Sequence, residues 1–204
     1  MYFCIGNVSY RERIMTSIET IVSEAVATLR AGGTILYPTD TIWGIGCNAA
    51  DAAAVDSIYA VKQRDHSKSM LILAREEWAV TDNDDVNVLL RSDRPTTVIV
   101  PCAMLTAMPS IAGNLPASDG TIGVRVPRHA FCQEIMSRLG YPLVSTSANF
   151  SGCPSPTSYE EIDATLMERV DYVVPNIIDF NNQSSVASRI VKIDMEGRIT
   201  VIRD

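Results

Sequence analysis

The chain has 204 residues, 47% hydrophobic and 20% charged, and 17 Lys and Arg against 24 Asp and Glu give a net charge of −7. A chain of that size carries one sizeable core, so a single domain is expected, and the negative field disfavours sequence-independent nucleic-acid binding. Five cysteines without a Cys-x-x-Cys pair argue against a disulfide framework or a structural zinc site, and the apolar runs fall far short of the about 20 residues of a membrane span, so a cytoplasmic protein is expected.

Residues 1–15 read as an N-terminal arm, in which Asn7, Arg11, Glu12 and Arg13 interrupt any signal-like apolar stretch, and 16–204 as the folded domain. Thr16 to Ala31 has an amphipathic helical pattern, with Ile18, Ile21, Val22, Ala25, Val26 and Leu29 on one face, a Thr16-x-x-Glu19 capping box at its start and Gly32-Gly33 at its end. Thr34 to Tyr37 reads as a buried strand ended by Pro38, which puts Thr39 and Thr41 on a turn at its carboxyl end, where ligands bind in open α/β sheets. Asp51 is a natural N-cap for a helix to Val61 that delivers Lys62 and Arg64 at its end.

Met70 to Ala74 is expected as a strand, Asp84 to Leu90 as a short helix, and Thr96 to Val100 and Thr121 to Val126 as strands separated by a loop at Ser110 to Gly120 that could cover a site. Phe131 to Leu139 is helical by spacing, Pro142 to Val144 leads as a strand into Ser145-Thr146-Ser147, and Ser158-x-x-Glu161 is expected to cap a helix reaching Met167. Strands near Tyr172 to Val174, Ser188 to Asp194 and Ile199 to Ile202 close the chain. Helices and strands interleave without strict alternation, which predicts an α/β domain with a twisted, mixed β-sheet flanked by helices.

Several blocks carry chemistry. Tyr37-Pro-Thr-Asp-Thr-x-x-Gly-x-Gly-Cys47 places hydroxyls and glycines after a strand; Lys62, Arg64, His66 and Lys68 fall within seven positions; Arg125 interrupts an apolar strand; and Ser145, Thr146, Ser147 and Asn149 supply short groups able to hold ligand oxygens. Arg offers a planar fork to phosphate or carboxylate oxygens and Lys a movable point charge, but basic residues after a helix also suit its dipole and a solvated surface. A buried Arg125 must find a partner, and a substrate carboxylate or an internal ion pair would serve. Thr121 lies on the same strand face as Arg125 by period two. Thr39 and Asp40 shape the turn, Gly44 and Gly46 would let backbone approach a ligand or serve only a loop's positive φ, Cys47 is expected to pack as a small hydrophobe, and His66 and His129 carry no assignment.

Taken together, those blocks, with Thr121-Ile-Gly-Val-Arg-Val-Pro127 and Ser145-Thr-Ser-Ala-Asn-x-Ser-Gly-x-Pro154 at family-like separations, make the chain resemble the YrdC/TsaC family of L-threonylcarbamoyladenylate synthases from about Gly32 to Arg189. The resemblance implies a short single-domain form with a cationic central cavity. The implied reaction converts L-threonine, bicarbonate or CO2, and ATP into threonylcarbamoyl-AMP and pyrophosphate, a nucleotidyl transfer serving N6-threonylcarbamoyladenosine modification of tRNA. It implies Lys62 and Arg64 as catalytic phosphate contacts; Thr41, Arg125 and Ser145 as threonine contacts; and Lys68, Thr121, Ser147, Asn149, Ser155 and Ser188 beside Lys62 and Arg64 as nucleotide contacts. Mg²⁺ would arrive with ATP, no tightly bound cofactor or protein metal site is implied, and the downstream partners would be threonylcarbamoyl transferase machinery and tRNA.

The chain departs from the family pattern in places. Asp65 follows Arg64 where Arg-Pro is common, Arg91 to Thr97 replaces a Trp-Pro-Gly-Pro-x-Thr block, and Leu73 stands where some relatives have histidine. A YciO-like paralogue or an RNA- or nucleotide-binding protein without the activity is the alternative reading, though the acidic balance and the lack of aromatics interleaved with basic residues count against RNA.

Overall fold

A computed structural model describes residues 10–65, 69–176 and 186–204, with side chains from residue 18. Helix α1 runs Tyr10–Arg30, β1 Ile35–Tyr37, β2 Gly44–Gly46, α2 Ala52–Lys62, β3 Leu71–Leu73, α3 Asp84–Leu90, β4 Thr96–Pro101 and β5 Thr121–Arg125. Then come α4 Ala130–Leu139, β6 Leu143–Ser147, α5 Ala164–Met167, β7 Tyr172–Val173, β8 Arg189–Ile193 and β9 Ile199–Arg203, with short 3-10 turns at Cys102–Met104 and Tyr159–Glu161. The strands form one mixed sheet ordered β7-β1-β2-β6-β3-β5-β4-β8-β9, in which β1/β7, β3/β5 and β4/β8 are parallel and the other neighbours antiparallel.

Register divides this sheet into two faces. Val144, Ile72, Val124, Val98 and Val191 pair in one row across β6, β3, β5, β4 and β8, and every one is fully buried. These side chains join one core with Val55, Ile58 and Tyr59 of α2 and Phe131, Ile135 and Met136 of α4. One residue along each strand, the row Ser145, Leu71, Gly123, Ile99 and Lys192 faces the other way and lines a cavity. A one-residue slip of register would exchange the two rows, so the hydrophobic row fixes which side chains reach the cavity.

Helix α1 begins at Tyr10, six residues before the expected start, so Thr16 lies inside the helix and is not its N-cap. Glu19 instead receives Nη1 and Nη2 of Arg138 at 2.6 and 2.7 Å, which joins α1 to α4, and Ile21, Val22, Ala25, Val26 and Leu29 are buried as the pattern required. Of the expected arm, residues 10–15 are helical and residues 1–9 lie outside the described residues. Gly32, at φ +80°, ends the helix, with Gly32 N donating to Leu29 O and Gly33 N to Thr28 O.

Two expectations fail for local reasons. Ser158 makes no side-chain cap, and Glu161 accepts from Thr157 N and Oγ1, so the expected helix is a 3-10 turn followed by α5 under a separate cap, Asp163 Oδ1 to Thr165 N at 2.8 Å. Gly44 to Gly46 is a strand, and Gly46 is confined by protein: a Cβ built there would stand 2.1 Å from Val144 O and 2.9 Å from the Tyr37 ring. No side-chain motion relieves a contact with a neighbouring strand's carbonyl. Gly46→Ala is therefore expected to destabilise the fold by about 1–3 kcal/mol or more. A denaturant titration with an unchanged midpoint would contradict it.

Candidate functional site

The cavity, of about 450 Å³, opens on the sheet face opposite the valine-rich row. Of the sequence-predicted residues, Thr41, Arg64, Thr121, Arg125, Ser145, Ser147, Ser155 and Ser188 line it. Lys62 and Asn149 do not, and Lys68 lies outside the described residues. Arg125 and Thr121 sit four residues apart on β5, about 13 Å at the rise of a strand, with Gly123 between them on the same face.

Arg125 is the most constrained of the lining groups. Its side chain is 4% exposed, and its guanidinium pairs with the carboxylate of Asp40, whose side chain is 7% exposed and whose other oxygen accepts from Arg128 N at 3.0 Å. The internal ion pair is thus present, and the charge does not wait for a ligand to be neutralised. Asp40, expected only to shape its turn, joins that turn to the carboxyl end of β5. An unpaired partner on either side would cost several kcal/mol.

Hydroxyl hydrogens around the cavity are largely committed to protein acceptors. Thr39 Oγ1 donates to Ile42 O at 2.8 Å and receives Thr41 N at 3.0 Å, so the 2.9 Å contact between the two threonine hydroxyls is completed by Thr41 donating. Ser147 Oγ donates to Asn149 Oδ1, whose amide nitrogen is fixed by Phe150 O at 3.0 Å and Cys153 O at 2.6 Å. Thr121 Oγ1 donates to Asp119 Oδ1 at 2.6 Å. Thr41, Ser147 and Thr121 therefore present lone pairs, which suits ligand N–H and O–H groups; of the short groups expected to hold ligand oxygens, the Ser147 hydroxyl has its hydrogen committed to Asn149.

Donors come instead from cations. Helix α2, capped by Asp51 Oδ1 on Ala53 and Ala54 N, ends at Gln63 in the left-handed conformation (φ 50°), and this turn sends Arg64 to the cavity, where it donates to Ser69 O at 2.8 Å. Lys62 goes the other way. Its ammonium is buried and donates to Ser147 O and, at 2.7 Å, to Asn149 O, while its own carbonyl accepts Ser151 N at 3.0 Å. Burial, helped by the Arg64 charge, lowers the Lys62 pKa to about 7. A direct phosphate contact by Lys62 is not what this geometry provides; the side chain ties the end of β6 to the end of α2.

Lys192, Arg203 and Asp119 also line the cavity, and sequence reasoning missed all three. A bulge brings in Arg203: β8 pairs Val191 with Val201 but Ile190 with Arg203, so Ile202 is skipped and the guanidinium takes the place that period two would give to Ile202. Its Nε and Nη2 donate to Ser188 O at 3.0 and 2.6 Å, and Ser188 Oγ meets Thr97 Oγ1 at 2.8 Å. Lys192 was legible in part, as a charge at an inward position of a strand; the bulge left no signal. No group of three or more His, Cys, Asp or Glu able to hold a metal occurs among the described residues, and none of their helices is long and apolar enough to cross a membrane.

The Sua5/YciO/YrdC family model, described as telomere recombination, matches residues 27–204. The chain is 36% identical over 165 residues to a threonylcarbamoyl-AMP synthase of Stenotrophomonas maltophilia, covering 76% of this chain and 86% of the relative. It is 30% identical over 188 residues to a threonylcarbamoyl-AMP synthase of Pseudoalteromonas translucida, covering 90% and 98%. Among solved structures, E. coli YciO superposes with a TM-score of 0.70 at 24% identity, over 91% of this chain and 89% of that one. P. abyssi Sua5 complexed with L-threonine superposes with a TM-score of 0.70 at 22% identity, over 86% of this chain and 51% of that longer one. These two likenesses show the fold.

His129 packs beside the Asp40–Arg125 pair, only 2% exposed, and burial lowers its pKa to about 4, with Asp40 raising it and Arg125 lowering it to lesser degrees. The folded state therefore binds fewer protons than the unfolded state between about pH 6.5 and 4, and stability falls as pH drops through that window. Between pH 7 and pH 5 the loss from this group is expected to be about 2 kcal/mol. Chemical denaturation of His129→Gln at the two pH values should show a correspondingly smaller difference than the unaltered chain, and an identical difference would contradict this.

Proposed function

The chain belongs to the Sua5/YciO/YrdC family, and from that membership we propose that it is an L-threonylcarbamoyladenylate synthase, a nucleotidyltransferase of the cytoplasm. The threonine amine adds to CO2 and gives up a proton, or condenses with bicarbonate and releases water; a carbamate oxygen then attacks the α-phosphorus of ATP, and the bond from that phosphorus to the α,β-bridging oxygen breaks to release pyrophosphate. The product, threonylcarbamoyl-AMP, would pass to a transferase acting on tRNA. Positioning and positive charge carry most of such a reaction.

The observation that carries this reading is one cavity on one strand: Arg125 at one end of β5 and Thr121 at the other, with Ser145 in the row between them. Arg125 keeps N–H groups beyond the one given to Asp40, and these would hold the threonine carboxylate, while the Thr41 oxygen would accept from the threonine nitrogen. Arg64 and Arg203 would face the phosphates, with Lys62 and Asn149 holding Ser147 in place. Mg²⁺ would neutralise charge on the triphosphate. Asp119, the carboxylate that lines the cavity, is already bonded to Thr121 and Lys192, so ATP's own oxygens would hold the ion.

Pyrophosphate release from ATP should require both L-threonine and bicarbonate. Arg125→Ala should raise the KM for threonine about tenfold or more, and Arg64→Ala should lower kcat/KM for ATP by a similar factor. Steady-state assays with each substrate varied in turn check this; release that does not depend on threonine would reject the synthase reading.

A further inference from the structure

Asp119 stands in the turn before β5, closed by Gly120 N donating to Ala117 O at 2.8 Å and by Ala117 N donating to Thr121 O at 2.8 Å. Oδ1 accepts both Thr121 N at 3.1 Å and Thr121 Oγ1 at 2.6 Å, and Oδ2 accepts Lys192 Nζ at 2.7 Å. A carboxylate can only accept, so the single hydrogen of the Thr121 hydroxyl is committed to it. What Thr121 offers the cavity is lone pairs. A phosphate oxygen is repelled there, and a ligand N–H or O–H is received.

The ion pair itself contributes little to stability. Asp119 and Lys192 are 50% and 39% exposed, and an exposed ion pair contributes about 0–1 kcal/mol. Lys192, opposite Ile99 in the cavity-facing row, keeps two further N–H donors. Donor and acceptor thus sit side by side at the β5 start, a pair that complements the edge of an aminopurine or a ribose hydroxyl.

We propose that Asp119 is a positioning residue that, through Thr121 and Lys192, makes the β5 start a nucleoside-reading part of the cavity, selecting a ligand N–H or O–H donor over a phosphate oxygen. This rests on the synthase reading for the presence of a nucleotide, and it adds the orientation of that nucleotide and the residue that enforces it. The donor is either the exocyclic amine of the base or the ribose 2′-hydroxyl; the chemistry is shared, and analogues separate the two sources.

Equilibrium binding to the whole chain, measured by calorimetry, would compare ATP with 2′-deoxy-ATP and with purine riboside triphosphate, which lacks the amine. The unaltered protein should bind one of the two analogues about tenfold more weakly than ATP, because the Thr121 oxygen then lacks its donor. In Asp119→Ala, where the hydroxyl is free to rotate, that ratio should fall to within about twofold, and in Thr121→Val it should vanish. A merely structural role would weaken all three nucleotides alike and keep the ratio. ATP binding with no discrimination by the unaltered protein, or with discrimination unchanged in Asp119→Ala, overturns this inference and leaves the synthase reading standing. No ATP binding at all overturns both.

Discussion

The buried pairing of Asp40 with Arg125 is the constraint on which the cavity depends. Both groups leave water, at a cost of several kcal/mol per ion, and the cost is offset only because each carboxylate oxygen has its donor, one from Arg125 and one from Arg128 N. In return the turn after β1, the end of β5 and the segment leading to α4 are fixed relative to one another. Thr41 and Arg125, from distant parts of the sequence, then face one space before any ligand arrives. A pre-set arrangement of this kind lowers the ordering cost that a small ligand would otherwise meet.

The sheet extends that constraint by alternation. One cross-strand row of buried aliphatics, Val144, Ile72, Val124, Val98 and Val191, holds the register of five neighbouring strands, and the adjacent row includes small and polar residues: Ser145, Gly123 and Lys192. Gly123 keeps the middle of the wall low, since a Cβ there would stand 3.2 Å from Leu71 Cβ and 3.3 Å from Thr97 Cγ2. The bulge in β9 is the single break in the alternation that brings a cation to the wall, and it does so at the edge of the sheet, where one unpaired residue disturbs few ladder bonds.

What the sequence could announce was local. Asp51 at its cap, Asp84 to Leu90 as a helix, and Arg125 as a buried charge needing a partner all follow from interactions within a few residues or from the cost of burial. The blocks that resemble a known family brought eight of the expected site residues to one cavity. Strand order was not legible, because β6 enters between β2 and β3 through contacts set by no turn chemistry. Gly46 looked like a residue that admits a ligand and proved to be one that admits a neighbouring strand, a distinction that needs the position of Val144 O. Ser158 had a capping pattern, yet Glu161 found Thr157 first.

Lys62 is the clearest case of a motif residue whose chemistry is displaced by one step. Sequence order gives it the same standing as Arg64, since both follow the same helix. The left-handed turn at Gln63 separates them, sending the guanidinium to the cavity and leaving the ammonium buried beneath the loop after β6. A cation there would be costly if alone, and two carbonyls, Ser147 O and Asn149 O, receive it. Those carbonyls belong to the two residues joined by the Ser147 Oγ–Asn149 Oδ1 hydrogen bond, so an effect of Lys62 on a ligand would pass through the backbone of Ser147. Arg64 would act on ligand charge directly and Lys62 through geometry, and a pKa near 7 does not weaken the second role, because an amine donates hydrogen bonds whether or not it carries the extra proton.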